Sequence, residues 1–197
     1  MYKKTDKLRI TENHLQILTL FTAGFDKEYY IREVQKLLGI SPRTAQLILE
    51  DLERKAVLES HKKGKIKIYK IKKSQTAEGY LTLAEIYKKI SFLESNLLIR
   101  EIVEKITPHI EGILVIFGSY AKGVQKKSSD LDIFIAGSYN DNAIKKISNL
   151  YGIKVNVKNY PMKLFKKKIK ESILLKEITD NHIIISGADV FVAEVLK

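Results

Sequence analysis

The sequence predicts an α+β protein built from two domains and a helical connector. Residues 1–73 show helical periodicity followed by a lysine-rich segment of alternating apolar residues. Residues 74–107 show helical periodicity alone, and residues 108–197 alternate between strands and helices. A length of 197 residues accommodates two small domains, and 45% hydrophobic residues provide a core for each.

Cysteine and long apolar stretches are both absent from the sequence. The chain contains no cysteine, which excludes disulfides, thiolate metal sites and cysteine nucleophiles. No run of about 18 or more uncharged apolar residues occurs, and this is the length that a transmembrane helix requires. We therefore expect a cytoplasmic protein without a membrane partner.

Positive charge is concentrated in the first part of the chain. The formal net charge is +12, and residues 1–75 hold 17 Lys and Arg against 9 Asp and Glu, a net of +8. A lysine-rich proteome would produce part of this excess. The uneven distribution nevertheless favours a polyanionic partner for the N-terminal half.

Three helices are predicted in that half. The first covers residues 13–23 behind a cap at Asn13, and the second covers residues 32–38 and stops at Gly39. The third begins near Pro42, which suits a first helical position behind a Ser41 cap. The residues predicted to face the core are Leu15, Leu18 and Phe21, then Val34, Leu37 and Leu38, then Ala45, Ile48, Leu49 and Leu52.

A basic β-hairpin follows the third helix, with Ile66, Ile68 and Ile71 alternating after a Lys-Gly turn. The order of helix, short helix, tight turn, helix and basic hairpin resembles a winged helix-turn-helix domain over residues 7–73. This resemblance implies that the third helix enters the major groove of DNA while the hairpin, or wing, meets phosphates. The implied DNA contacts are Arg43, Thr44 and Gln46 on the helix, and Lys62, Lys63 and Lys65 on the wing.

An alternative interpretation of the first half is a small helical domain whose solvated hairpin binds protein, since winged helices also serve as dimerisation modules. The connector over residues 74–107 carries apolar residues on helical stripes, which would either pack on the chain's own domains or pair with a second copy of the chain. The residues on these stripes are Leu81, Leu83, Ile86, Tyr87 and Ile90, then Leu97, Leu98, Ile102, Val103 and Ile106. We favour a homodimer because winged helices usually bind paired half-sites.

The second half alternates between strands and helices. Strands are predicted at residues 113–117, 131–136 and 154–157, with a helix at residues 142–150 before the last of them. A basic helix opens at Pro161, and the chain closes with a helix at residues 172–179, a strand at residues 183–185 and a helix at residues 189–196. This order is typical of an α/β unit.

Small residues and paired carboxylates lie between the first two of these strands. Gly118 and Ser119 begin a strand-to-helix turn whose backbone amides can cradle phosphate, and Lys122 inside it is a candidate phosphate contact. Ten residues after Ser119 come Asp130 and Asp132, which share one face because strand residues i and i+2 do. Their mutual repulsion favours a divalent cation between them, Mg²⁺ or Mn²⁺. A hydroxyl could then displace pyrophosphate from a nucleoside triphosphate.

The motif Gly-Ser-x10-Asp-x-Asp resembles the minimal nucleotidyltransferase family of the polymerase-β superfamily over residues 108–190. The resemblance implies Asp130 and Asp132 as metal ligands and catalytic residues, and Gly118, Ser119, Lys122 and Ser129 as the nucleotide-binding set, with ATP as the expected nucleotide. The family normally supplies a third carboxylate from the next strand, where this sequence has Asn156. An amide cannot accept a proton from the attacking hydroxyl, so the sequence leaves nucleotidyl transfer open.

Three functions follow from this combination. The first is a transcription regulator that binds double-stranded DNA and senses Mg²⁺-NTP through the second half. The second is an active adenylyltransferase that modifies a protein or small molecule; the family resemblance implies antitoxins that modify a HEPN-domain partner. The third is an inactive scaffold. We expect the regulator, with weak transfer left open.

Overall fold

The computed structural model describes residues 9–197, so the first eight residues of the predicted 1–73 domain lie outside the described part. Helices and two sheets alternate along the chain, in agreement with the α+β class. The helices are α1 (Glu12–Thr22), α2 (Ile31–Leu38), α3 (Pro42–Arg54), α4 (Gln75–Ser95), α5 (Leu97–Ile106), α6 (Gly118–Ala121), α7 (Asp141–Tyr151), α8 (Met162–Lys168), α9 (Ile173–Asp180) and α10 (Ala188–Leu196). The strands are β1 (Tyr29–Tyr30), β2 (Leu58–Lys63), β3 (Ile66–Ile71), β4 (Ile110–Ile116), β5 (Leu131–Tyr139), β6 (Val155–Tyr160) and β7 (Ile183–Ser186).

Helix α3 forms as its sequence predicts. The Ser41 hydroxyl accepts a hydrogen bond from the backbone N–H of Thr44 at 3.0 Å, and Pro42 occupies the first helical position. The four residues predicted for its core face are all buried, which confirms that prediction: Ala45, Ile48, Leu49 and Leu52. The polar N-terminal part of α3 is left facing outward.

The first sheet has the order β1-β3-β2, with both pairs antiparallel. The predicted hairpin is present, and its tip projects Gly64 and Lys65 into solvent. The two-residue strand β1, which pairs Tyr29 with Tyr69, was not predicted. Two residues carry too little periodicity to distinguish a strand from a loop.

Two details of the first two helices differ from the predictions. Thr11, rather than Asn13, is the N-cap of α1, and its backbone N–H and hydroxyl both contact the His14 ring nitrogen Nδ1. Leu37 is 56% exposed although it was predicted to face the core, whereas Val34 of the same helix is buried.

Helices α4 and α5 confirm the helical prediction for residues 75–106, but not all of its apolar stripes. Leu83, Ile86 and Ile90 of α4 are exposed. Leu81 is buried as predicted, and α4 also buries Ala77, Tyr80, Ala84 and Glu85. In α5, Leu97 and Leu98 are exposed, and the buried face consists of Ile99, Ile102, Val103 and Ile106.

The second sheet has the order β6-β5-β4-β7, in which β5 and β6 are parallel and the other pairs are antiparallel. Its alternating residues enter two separate apolar clusters. Val115 belongs to a cluster that also contains Phe21 and Leu81 from the N-terminal half, whereas Leu114 belongs to a cluster on the other face with Ile102. The first cluster therefore joins the two halves of the chain.

No helix between residues 9 and 197 combines the length and the apolar character that a membrane crossing requires.

Candidate functional site

Asp130, Asp132 and Asn156 meet at one end of the parallel strand pair. Asp132 on β5 lies directly opposite Asn156 on β6, and Asp130 immediately precedes β5. The Asn156 side-chain nitrogen Nδ2 donates to Asp130 Oδ2 at 3.1 Å and to Asp132 Oδ1 at 3.0 Å. A single atom thus bridges the two carboxylates, which places them on one face as the i, i+2 spacing predicts.

Lys154 adds a positive charge to this group. Its ammonium lies 3.1 Å from Asp130 Oδ2, and 71% of its side chain is exposed. The hydrogen bond from Lys154, followed by that from Asn156, lowers the pKa of the Asp130 carboxyl. Asp130 therefore stays ionised at neutral pH, and the Lys154 ammonium balances its charge.

Gly118 brings the strand-to-helix turn against Asp132. Its φ is +70°, a conformation that favours glycine, and a Cβ at this position would collide with the Asp132 carboxylate. The backbone N–H of Phe117 donates to the Asp132 carbonyl oxygen at 3.0 Å. The turn and the carboxylates therefore form one continuous site.

The other predicted nucleotide-binding residues make contacts of their own. Lys122 pairs with Glu177 of α9 at 3.0 Å rather than with the carboxylates. The Ser129 hydroxyl accepts a hydrogen bond from the backbone N–H of Lys126 at 2.8 Å. Ser119 lies on α6, directly after Gly118. Lys122 would have to leave Glu177 to reach a phosphate.

The chemistry of this donor set fits a divalent cation. No group of three or more His, Cys, Asp and Glu side chains suited to a metal occurs within residues 9–197, so Asp130 and Asp132 supply all the charged oxygens. If the Asn156 amide turns over, its carbonyl oxygen joins them, and three hard oxygen ligands suit Mg²⁺ or Mn²⁺. A cation bound there would neutralise the charge on phosphate oxygens.

Lys154 was not among the predicted site residues. Lys154 and Asn156 have the same i, i+2 spacing as Asp130 and Asp132, but this spacing alone does not pair the residues. Parallel pairing of β5 with β6 then sets a hydrogen-bond donor opposite each acid. Without the register of the two strands, that correspondence cannot be read from the sequence.

The predicted DNA contacts lie on two neighbouring elements of the N-terminal half. Arg43 is exposed on α3, while Thr44 and Gln46 are half-buried there, and Gln46 donates to Glu50 at 2.9 Å. Lys62, Lys63 and Lys65 are exposed on the wing and form no ion pair with another described residue.

Comparison with known proteins identifies the C-terminal part of the chain. Residues 97–185 match the sequence family described as Nucleotidyltransferase domain, and this segment contains the whole carboxylate site. These residues form a nucleotidyltransferase-like domain. The match begins at residue 97, so the matched segment includes α5 of the predicted connector. The predicted boundaries at residues 73 and 107 stay predictions.

None of the curated proteins compared with the chain matches it. Among solved structures, one similarity is to TrmBL2, described as an archaeal chromatin protein with a novel mode of DNA binding. The two sequences are 14% identical, and the match covers 89% of this chain and 72% of that one, with a TM-score of 0.30. A TM-score of this size does not establish a shared fold.

Proposed function

We propose that this chain is a DNA-binding regulator whose nucleotidyltransferase-like domain binds a nucleoside triphosphate, ATP first among them, together with Mg²⁺. The observation that carries the nucleotide part is the convergence of Asp130 and Asp132 on the Asn156 amide. Two carboxylates held this close are typical of a site for a hard divalent cation, and the Gly118 turn lies directly against the Asp132 carboxylate.

Binding is favoured over transfer because Asn156 stands directly opposite Asp132, where the family resemblance leads us to expect the third carboxylate. An amide has no basic oxygen with which to accept a proton, and the loss of a general base typically lowers rates by about 10²–10⁴-fold. An adenylyltransferase with a HEPN-type partner therefore stays an alternative, as does an inactive scaffold. Stronger labelling of the protein or of a partner by radioactive ATP in Asn156→Asp would favour the enzyme.

Calorimetry with ATP, GTP and CTP in Mg²⁺ tests the nucleotide proposal. We expect heat of binding for the wild type and at least about a tenfold loss of affinity for Asp130→Asn with Asp132→Asn, since both changes preserve shape and remove charge. Asp26→Asn, an exposed change in the N-terminal half, is the matched control. Equal heats for the double variant and the control would exclude this site.

The DNA part of the proposal is supported by charge and exposure. The polar start of α3 and the wing lie on neighbouring elements of the N-terminal half, and three exposed lysines lie along the wing tip. This is the arrangement by which a winged helix reads the major groove and contacts phosphates. A homodimer that binds paired half-sites belongs to the same proposal.

Salt dependence tests the DNA contacts of the wing. Replacing Lys62, Lys63 and Lys65 with Gln should reduce the slope of log K against log salt by about 2 to 3, because each neutralised phosphate contributes about 0.9. The control replaces three exposed lysines elsewhere: Lys163, Lys167 and Lys170. The proposal fails if the wild type retains no duplex at low salt, or if the control lowers the slope equally.

A further inference from the structure

Each carboxylate of the site faces a hydrogen-bond donor on the neighbouring strand. We propose that Lys154 and Asn156 are a built-in competitor of the cation: they hold Asp130 and Asp132 in the nucleotide-free protein, so that a divalent cation enters only by displacing them. This inference rests on the proposed nucleotide function. It gives Lys154, which immediately precedes β6, and Asn156 on β6 a role in controlling which ligand the carboxylates bind.

The Asn156 amide provides a hydrogen-bond donor to both carboxylates without a metal. Its Nδ2 has two hydrogens, and the nitrogen donates to one oxygen of each carboxylate, at 3.1 and 3.0 Å. Carboxylates are acceptors only, so in the absence of a cation the nitrogen end of the amide must face them. A bound cation reverses this preference, because it attracts the carbonyl oxygen and repels the N–H groups.

The Lys154 ammonium supplies a single positive charge where a cation would supply two. It contacts only Asp130 of the pair, and its exposed stem can swing into solvent. A divalent cation between the carboxylates would lie close to the ammonium and repel it. The Lys154 ammonium therefore weakens the binding of a free divalent cation.

A bound nucleotide reduces the repulsion between the cation and the Lys154 ammonium. Its phosphates bring negative charge to the same place, so the displaced ammonium gains a new anionic partner. The cation then enters with the nucleotide more readily than alone. Lys154 consequently has opposite effects on the two ligands: it opposes free cation and favours the nucleotide complex.

Manganese titration followed by electron paramagnetic resonance measures the first effect, because free and bound Mn²⁺ give different signals. Lys154→Gln should bind free Mn²⁺ about three- to tenfold more tightly than the wild type, since one repelling charge is removed. Lys158→Gln, an exposed lysine of the same strand, is the matched control and should stay within about twofold. Failure of Lys154→Gln to exceed Lys158→Gln would overturn the proposal.

Calorimetry with Mg²⁺-ATP measures the second effect. Lys154→Gln should weaken the complex about three- to tenfold, opposite in sign to its effect on Mn²⁺. A lysine that served only to stabilise the strands would weaken both ligands together, and that result would reject the competitor role. Absence of ATP binding in the wild type would remove the proposed function, while the Mn²⁺ comparison would still decide whether Lys154 competes.

The amide of Asn156 offers a readout independent of affinity. Its side-chain NH₂ signals, identified by their loss in Asn156→Asp, should shift strongly when diamagnetic Mg²⁺ and ATP are added, because the nitrogen leaves both carboxylates. Asn156→Asp should also bind free Mn²⁺ at least about tenfold more tightly, whereas Asn142→Asp on the surface of α7 should not. Unchanged NH₂ signals in the saturated complex would contradict the displacement.

Discussion

Gly118 sets the distance between the strand-to-helix turn and the carboxylates. Its positive φ and its approach to Asp132 are separate requirements, and Gly123 shares only the first, with a φ of +69° and open space where a Cβ would be. The two glycines therefore separate backbone strain from collision with the site.

We expect Gly123→Ala to reduce the free energy of unfolding by about 1–2 kcal/mol, the cost of a left-handed conformation for an L-residue. Gly118→Ala should reduce it further and should also weaken binding of Mg²⁺-ATP, because the new Cβ displaces the Asp132 carboxylate. Urea denaturation and calorimetry measure the two effects. Identical behaviour of the two variants would mean that the close approach has no influence on the site.

Glu85 is the most deeply buried charged residue of the described chain, and it lies where α4 meets the C-terminal half. One of its oxygens contacts Lys88 Nζ at 2.8 Å and His182 Nε2 at 3.2 Å. His182 Nδ1 donates to backbone carbonyl oxygens of α9, including that of Ile178 at 3.0 Å. Burial raises the pKa of Glu85, but the charges of His182 and Lys88 outweigh it and lower the pKa to about 2.

This shift predicts a stability change in acid. A carboxyl whose pKa falls from 4.5 to about 2 on folding stabilises the protein above pH 4.5, and this contribution is lost as the pH falls towards 2. Glu85→Gln should cost about 3 kcal/mol at pH 7, since Lys88 loses its buried partner. The cost should shrink between pH 4.5 and 2 in urea denaturation. A cost independent of pH, or one matched by the exposed control Glu94→Gln, would contradict the assignment.

The sequence predicted the two acids of the site but not the side chains that contact them. Asp130 and Asp132 could be found because their spacing and their flanking strand have one physical meaning. Lys122 allows two interpretations, because a lysine in a phosphate-binding motif can equally form an ion pair with a distant acid. In the structure that acid is Glu177. Partners from remote segments carry no local signal.

The start of helix α3 is defined by a single side-chain cap, Ser41. The Ser41 hydroxyl satisfies the backbone N–H of Thr44, one of the donors that a helix start leaves unpaired. This cap fixes where α3 begins and therefore which residues of its first turn face outward.

Ser41→Ala should reduce the free energy of unfolding by about 1 kcal/mol, and Ser41→Asp should restore most of it, because aspartate also caps well. Urea denaturation of the three proteins checks this order. An alanine variant as stable as the wild type would show that the hydroxyl does not stabilise α3.

Helix boundaries in this chain were predictable where chemistry marks them, as at Gly39 and Ser41. The buried faces of α4 and α5 were predicted less well. Leu83, Ile86 and Ile90 have the right spacing for a core stripe, yet α4 turns its small residues Ala77 and Ala84 inward. Close packing against two neighbouring helices, α1 and α10, favours small side chains over large ones.

One of the two apolar clusters extends across both halves of the chain. Phe191 of α10 packs against Phe165 and against Phe25 from the N-terminal half, with ring centroids 5.9 and 6.3 Å apart. Helix α4 contributes Leu81 to the same cluster. The N-terminal half and the nucleotidyltransferase-like domain are therefore expected to lose structure together.

Calorimetry should show a single unfolding transition whose calorimetric and van't Hoff enthalpies agree. Phe191→Ala should cost about 3–5 kcal/mol and should accelerate hydrogen exchange in α3 as well as in β5, since the shared core supports both. Exchange that rises in β5 while α3 stays protected would show that the halves unfold separately.

If nucleotide binding and DNA binding are coupled in this protein, its duplex affinity depends on the nucleotide. The direct measurement is duplex affinity with and without saturating Mg²⁺-ATP at fixed salt. We expect ATP to change the affinity of the wild type by at least about fivefold, a typical coupling, and to leave the affinity of Asp130→Asn with Asp132→Asn unchanged. The same duplex affinity with and without ATP in the wild type would contradict this coupling.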